Sequence, residues 1–214
     1  MTKSTLYHRE EFLNALSHGF GVLLGVIGAM LLWQEHEPTQ PMETLSVVIY
    51  SGSVILLFTA STLYHSVNDP RIKKKLRILD HVSIYFLIAG TYTPVALLTL
   101  QESKGMSLFY IVWGVTLAGT LFKIFYTGKL EYLSLVLYLV MGWLIVVDFN
   151  FLWSELSSFG AGMLFLGGAF YTLGIVFYAI RKIPYNHFIW HLFVLGGAIS
   201  HWFLIYSDVY QVSR

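Results

Sequence analysis

Long apolar runs separated by short polar breaks dominate this 214-residue chain. Seven runs stand out, at roughly 15–33, 44–66, 80–100, 107–126, 131–150, 161–180 and 187–207. Each is close to the ~20 residues that cross a bilayer as a helix. A barrel strand would alternate over ~10 residues instead. The pattern predicts an all-α membrane protein, a seven-transmembrane helix bundle forming a single domain over 1–214. Composition agrees, with 56% hydrophobic and only 12% charged residues, against about 25% charged in soluble domains. The first run, Ala15 to Trp33, lacks a small-residue cleavage site before Gln34-Glu35-His36-Glu37. It is therefore expected to be a retained helix and not a cleaved signal peptide. Pro94 follows Thr91-Tyr92-Thr93 inside the third run and should kink or break that helix in its outer half.

Charge sets the expected orientation. With the N-terminus in the cytoplasm, the inside segments hold Lys3, Arg9, Arg71, Lys73, Lys74, Lys75, Arg77, Lys123, Lys129, Arg181 and Lys182. The outside segments hold only Lys104 and Arg214. Eleven basic residues against two, of thirteen in all, predict an N-terminus inside and a C-terminus outside. The basic stretch Arg71-Ile72-Lys73-Lys74-Lys75-Leu76-Arg77 reads as a loop that fixes topology and attracts anionic lipid of the inner leaflet. Gly21 and Gly25 form a GxxxG, and Gly114 with Gly119, Gly167 with Gly168 and Gly196 with Gly197 make further small patches. Such patches let helices approach closely within the bundle. Trp33 and Trp153 read as interfacial anchors. No internal repeat or low-complexity tract is present.

The candidate chemistry lies in polar residues at the span ends. The chain has no cysteine, which excludes disulfides and thiolate metal sites. His187 and His191 are four residues apart at the start of the seventh run. On a helix both rings share a face, one turn apart, and can bridge a divalent metal. Ser61 and His65 repeat that spacing at the close of the second run, and Asp80-His81 opens the third. His18 opens the first, with Asn14 and Glu11 one and two turns earlier. The expected topology puts all of these at one depth, near the inner leaflet. Taken singly, a histidine at a span end needs only to snorkel, and His8 and His36 belong to that reading. His201 falls about 15 Å beyond His191 along the helix, too far to share a metal, and reads as a polar packing residue. His81 points about 100° from Asp80, and Asp148 falls on the outer side. The site rests on the combination of two pairs at four-residue spacing with an aspartate on the same side.

In the motifs Glu11-x-x-Asn14-x-x-x-His18, Ser61-x-x-x-His65, Asp80 and His187-x-x-x-His191, the chain resembles a bacterial member of the haemolysin III family. That family is similar to the adiponectin-receptor-like and progestin-receptor-like seven-span proteins, and more distantly to the alkaline ceramidases. The resemblance covers essentially the whole chain and implies a multi-pass protein of the bacterial cytoplasmic (inner) membrane. It implies Zn²⁺ held by His65, His187 and His191, with water in the fourth position and with Asp80 and Ser61 close to that water. Three protein ligands and an open position suit a catalytic zinc site. Asp80 would act as general base or orient the water or a ligand, and Ser61 would stabilise a developing oxyanion. Glu11, Asn14 and His18 would support the ligands from behind or simply cap their helix. The long cytosolic N-terminal extension of the receptors is not expected here, nor is receptor-style docking of partners.

Three functions follow as expectations. The first is a zinc-dependent hydrolase acting within the membrane on a lipid amide or ester, ceramidase-like, with membrane lipid as the partner and no role for nucleic acid. The second is a non-enzymatic sensor or receptor whose zinc ties the spans together. The third is a pore-forming cytolysin. A pore needs a polar stripe through the bilayer, and the polar groups here gather near one face.

Overall fold

A computed structural model of the chain describes residues 3–37, 39–180 and 182–211. All seven apolar runs are helices long and apolar enough to cross a membrane. The helices are α1 (Lys3–Glu35), α2 (Pro41–Ser66), α3 (Pro70–Pro94), α4 (Gly105–Tyr126), α5 (Glu131–Gly142), α6 (Phe149–Glu155), α7 (Ser158–Ala179) and α8 (Asn186–Leu204). The described residues include no strand. Phe20, Leu23, Ile27, Leu117, Leu121 and Leu173 are exposed on the outside of the bundle, as lipid-facing positions should be.

Two helices begin well before the predicted spans. α1 starts at Lys3, about three turns ahead of position 15. α3 starts at Pro70, so the basic stretch from Arg71 to Arg77 is helix and not the expected loop. The start signal is local. Asp69 Oδ1 accepts hydrogen bonds from the backbone N–H of Arg71 (2.9 Å) and Ile72 (3.0 Å), and proline follows at the first helical position. Both features favour helix initiation, and they outweigh the charge run.

Pro94 ends the α-helical register of α3, and Val95–Thr99 continue as a wider π-helical turn. Proline supplies no N–H for the preceding turn, and the wider turn absorbs the loss. The fifth span departs further from expectation. Instead of one helix over 131–150, α5 stops at Gly142, a tight 3₁₀ stretch covers Leu144–Asp148, and α6 completes the crossing. Tyr92 of α3 serves this break. Its hydroxyl donates to Gly142 O (2.9 Å) and accepts from Ile145 N (2.8 Å). A broken helix is tolerated at membrane depth where protein satisfies the freed backbone groups.

α2 packs against α1 and α3, α8 against α7 and α1, and α4 against α3. The GxxxG of α1 serves α1–α2 packing: a Cβ on Gly21 would come 2.5 Å from the Phe58 ring, and one on Gly25 3.2 Å from Val54. Gly114 and Gly168 have nothing within 4 Å of such a Cβ, so those two positions do not pack as expected. α5 and α6 touch the other helices sparsely. The space left between them and α3, α7 and α8 is a cavity.

Candidate metal centre and cavity

The end of the bundle that carries Lys73, Arg77 and Lys123 is here the basic end. There the last turn of α2, the third turn of α3, the first turns of α8 and the fourth turn of α1 converge. Three helix ends meet because α2 and α3 are joined by a short turn and α8 begins beside them.

The rings of His65, His187 and His191 lie 4.8–5.1 Å apart, centroid to centroid. One nitrogen from each falls within 4.8 Å of the others. Small ring rotations would close that spread onto an ion with Zn–N bonds of about 2.0–2.1 Å. His65 Nδ1 faces Glu11 Oε1 at 3.0 Å, while its Nε2 is buried and has no hydrogen-bond partner. With Nδ1–H donating to the carboxylate, Nε2 keeps its lone pair. His191 Nδ1 lies 3.2 Å from Asn14 O; with Nδ1–H donating there, its Nε2 also keeps its lone pair. This donor set fits a zinc ion: three imidazoles, one with an orphaned buried nitrogen and two with the opposite nitrogen engaged by the protein.

Glu11, Asn14 and His18 all reach the histidines. Asn14 Nδ2 is 3.4 Å from His65 Nδ1. The His18 ring stacks on His191, centroids 3.7 Å apart and planes within 14°. Neither ring nitrogen of His18 has a partner. Since α1 begins at Lys3, none of the three caps it. Glu11 is also paired with Lys73, whose ammonium donates to Tyr64 O (3.1 Å) and Val67 O (3.3 Å) at the end of α2. Lys73 thus caps α2 and fixes the Glu11 carboxylate, a role that reading it as one more topology charge missed.

Asp80 is half-buried and lines the cavity together with Ser61, His187 and His191. The Ser61 side chain interacts with its carboxyl. His81 turns away toward α4 and α5. There the Lys123 ammonium, 1% exposed, donates to Glu131 Oε2 at 3.0 Å, with His81 Nδ1 3.5 Å from the ammonium. Arg77 reaches the other Glu131 oxygen at 3.3 Å. Sequence reasoning missed this buried cluster. Its signal was a lysine set between Phe122 and Ile124 inside an apolar run. Asp148 lies at the opposite end, accepting from Ser103 Oγ and Lys104 N at 2.8 Å each. His36 bonds Trp33 O, and His8 is exposed.

The cavity, of about 510 Å³, runs from these histidines toward Phe149, Asn150 and His201. Its size suits a small amphiphile. His201 therefore does more than pack: its ring lies against α7 at Gly167, and it also lines the far part of the cavity.

A family model described as haemolysin-III related matches residues 6–202. The chain is 39% identical over 208 residues to "Hemolysin-3" of Bacillus cereus, covering 96% of this chain and 94% of that protein. It is 42% identical over 198 residues to "Hemolysin-3 homolog" of Bacillus subtilis (strain 168), covering 92% and 93%. It is 31% identical over 222 residues to "Monocyte to macrophage differentiation factor" of Homo sapiens, covering 98% and 87%. No solved structure matches the chain significantly.

Proposed function

The chain belongs to the haemolysin III family of integral membrane proteins, and from that premise we propose that it is a zinc-dependent hydrolase cleaving an amide or ester in a membrane lipid. The observation that carries this reading is the convergence of His65, His187 and His191 at one end of an apolar cavity, with Asp80 and Ser61 on its wall. The three histidines would hold the ion and leave a fourth position open. When bound, the ion would polarise a carbonyl and acidify a water toward neutral pH. Asp80 would accept the proton of the attacking water and return it to the leaving nitrogen or oxygen. Over the cycle the water oxygen bonds to the carbonyl carbon, the C–N or C–O bond breaks, and acid plus amine or alcohol is released. Ser61 would donate a hydrogen bond to the carbonyl oxygen as charge develops. Glu11 would keep the His65 ring oriented. The basic end would face the cytoplasm, setting the histidines near the inner headgroups of the bacterial cytoplasmic membrane, where lipid carbonyls sit.

The test is purified protein in lipid nanodiscs, with metal content and hydrolysis of ceramide and phospholipid measured on the same samples. His187→Ala is expected to lose both metal and turnover. Asp80→Asn is expected to keep the metal and lose about 10²–10⁴-fold in rate. A metal-free His187→Ala with full turnover would sink the proposal.

A sensor reading has support from the same geometry, because an ion on His65, His187 and His191 would tie α2 to α8. Large thermal stabilisation by zinc with no turnover on any lipid would favour it. The lytic activity in the relatives' name has less support. The cavity wall is mostly apolar, with Leu57, Ile84, Leu87, Ile88, Trp190 and Val194 beside scattered hydroxyls such as Thr91, Ser134 and Thr172, where a pore would need a continuous polar stripe.

A further inference from the structure

The two helices that carry the candidate ligands, α2 with His65 and α8 with His187 and His191, pack along α1 and only sparsely on each other. The spacing between the rings therefore depends on α1. We infer that Glu10 of α1 is a positioning residue of the metal centre, holding the start of α8, and with it His187, at a distance from His65 that one ion can span.

α8 has no cap of its own. Tyr185, the residue before it, lies in the left-handed region at φ 56°, and its side chain accepts no hydrogen bond from the first turn. The Asn186 amide is turned back to α7, where Nδ2 donates to Phe177 O at 3.1 Å. No acidic residue lies in the first turn of α8. A helix start leaves up to four backbone N–H groups in need of acceptors. Here the acceptor comes from a residue 177 positions away: Glu10 Oε1 takes the backbone N–H of His187 at 3.1 Å. A carboxylate at a helix N-terminus also meets the positive end of the macrodipole. Glu10 is half-buried, and among the described residues no cation pairs with it. A salt bridge does not account for its charge; the start of α8 does.

The next residue completes the arrangement. Side chains of adjacent helical residues diverge by about 100°. Glu11 thus reaches His65 on α2 while Glu10 reaches His187 on α8. Asn14, one turn on, spans the same gap, with Nδ2 3.4 Å from His65 Nδ1 and its carbonyl 3.2 Å from His191 Nδ1. Glu10 differs from both in acting on backbone and not on a ring. A shift in the first turn of α8 carries the Cα of His187 with it, and a metal site tolerates only about 0.2 Å in each bond.

This inference rests on the reading of the three histidines as a metal site; it needs no turnover. The test uses the full-length protein in lipid nanodiscs, loaded with zinc or with cobalt(II), whose visible absorption reports coordination geometry. Glu10→Ala is expected to weaken zinc binding about tenfold, measured in competition with a chelating dye, and to alter the cobalt spectrum. Glu10→Gln keeps an oxygen that accepts the His187 N–H and should bring back affinity and spectrum together. Glu10→Asp keeps the charge and shortens the reach, so it should resemble Glu10→Ala and serves where that variant does not fold. Melting of the metal-free proteins is followed alongside. A cap that serves stability alone would lower the melting temperature and leave affinity and spectrum at wild-type values. That result, or a Glu10→Gln as weak as Glu10→Ala, overturns the inference and leaves the metal site standing. A wild type that binds neither metal overturns the metal reading and this inference with it.

Discussion

Glu11 Oε1 lies 3.0 Å from Nδ1 of His65, fifty-four positions along the chain, and the other Glu11 oxygen is paired with Lys73. One carboxylate therefore orients a candidate ligand and is itself fixed by the cation that caps α2. Glu11→Gln keeps the shape and removes the charge. Zinc affinity is expected to fall about 10–100-fold, the usual cost of losing a group that orients a ligand. Titration with zinc in competition with a chelating dye measures this, and unchanged affinity would mean that Glu11 only packs.

Tyr92 pairs two backbone groups at the break in the fifth span, Gly142 O and Ile145 N. Tyr92→Phe leaves them unpaired in apolar surroundings, at about 1–3 kcal/mol for each. Reversible unfolding in mixed micelles should show that loss. A variant as stable as wild type would mean that the break relaxes into continuous helix.

Lys123 and Glu131 form a buried pair that joins α4 to α5. Removing one partner strands the other, which costs about 3–5 kcal/mol for buried pairs. Glu131 retains Arg77 and Gly128 N, so Lys123→Met should fall at the low end of that range. Adding Glu131→Gln should recover part of it, and a double-mutant cycle on unfolding free energies reads the coupling.

The absence of native cysteine makes orientation simple to test. Glu102→Cys, in the turn before α4, should react with a membrane-impermeant maleimide on intact cells. Lys129→Cys, in the turn before α5, should react only after the cells are opened. The reverse pattern would invert the assignment drawn from the basic residues.

The number and position of the helices were legible because run length against bilayer thickness is a coarse, robust signal. Helix starts were less so. Polar leading turns such as those of α1 and α3 carry no hydropathy, and the start of α3 was readable only from Asp69-Pro70. The break at Gly142 had no local signal, since the group that makes it tolerable, the Tyr92 hydroxyl, comes from another helix. At the candidate site, four-residue spacings and span polarity singled out the histidines that the fold brings together. The partners of Glu10 and Glu11 and the burial of Lys123 depend on how helices rotate against one another. Sequence spacing within one helix does not encode that rotation.

The interrupted fifth span has a consequence for biogenesis. The twelve residues of α5 rise only about 18 Å, short of the roughly 30 Å of hydrocarbon to be crossed. A nascent segment released into lipid without its neighbours must pair its own amides, and only a straight helix does so. Insertion first and bending second is the expected order, with the Tyr92 phenol then pairing the backbone at Gly142 and Ile145. A straight helix over this span would place Gly142, Ile145 and Phe149 differently along the cavity wall they now line.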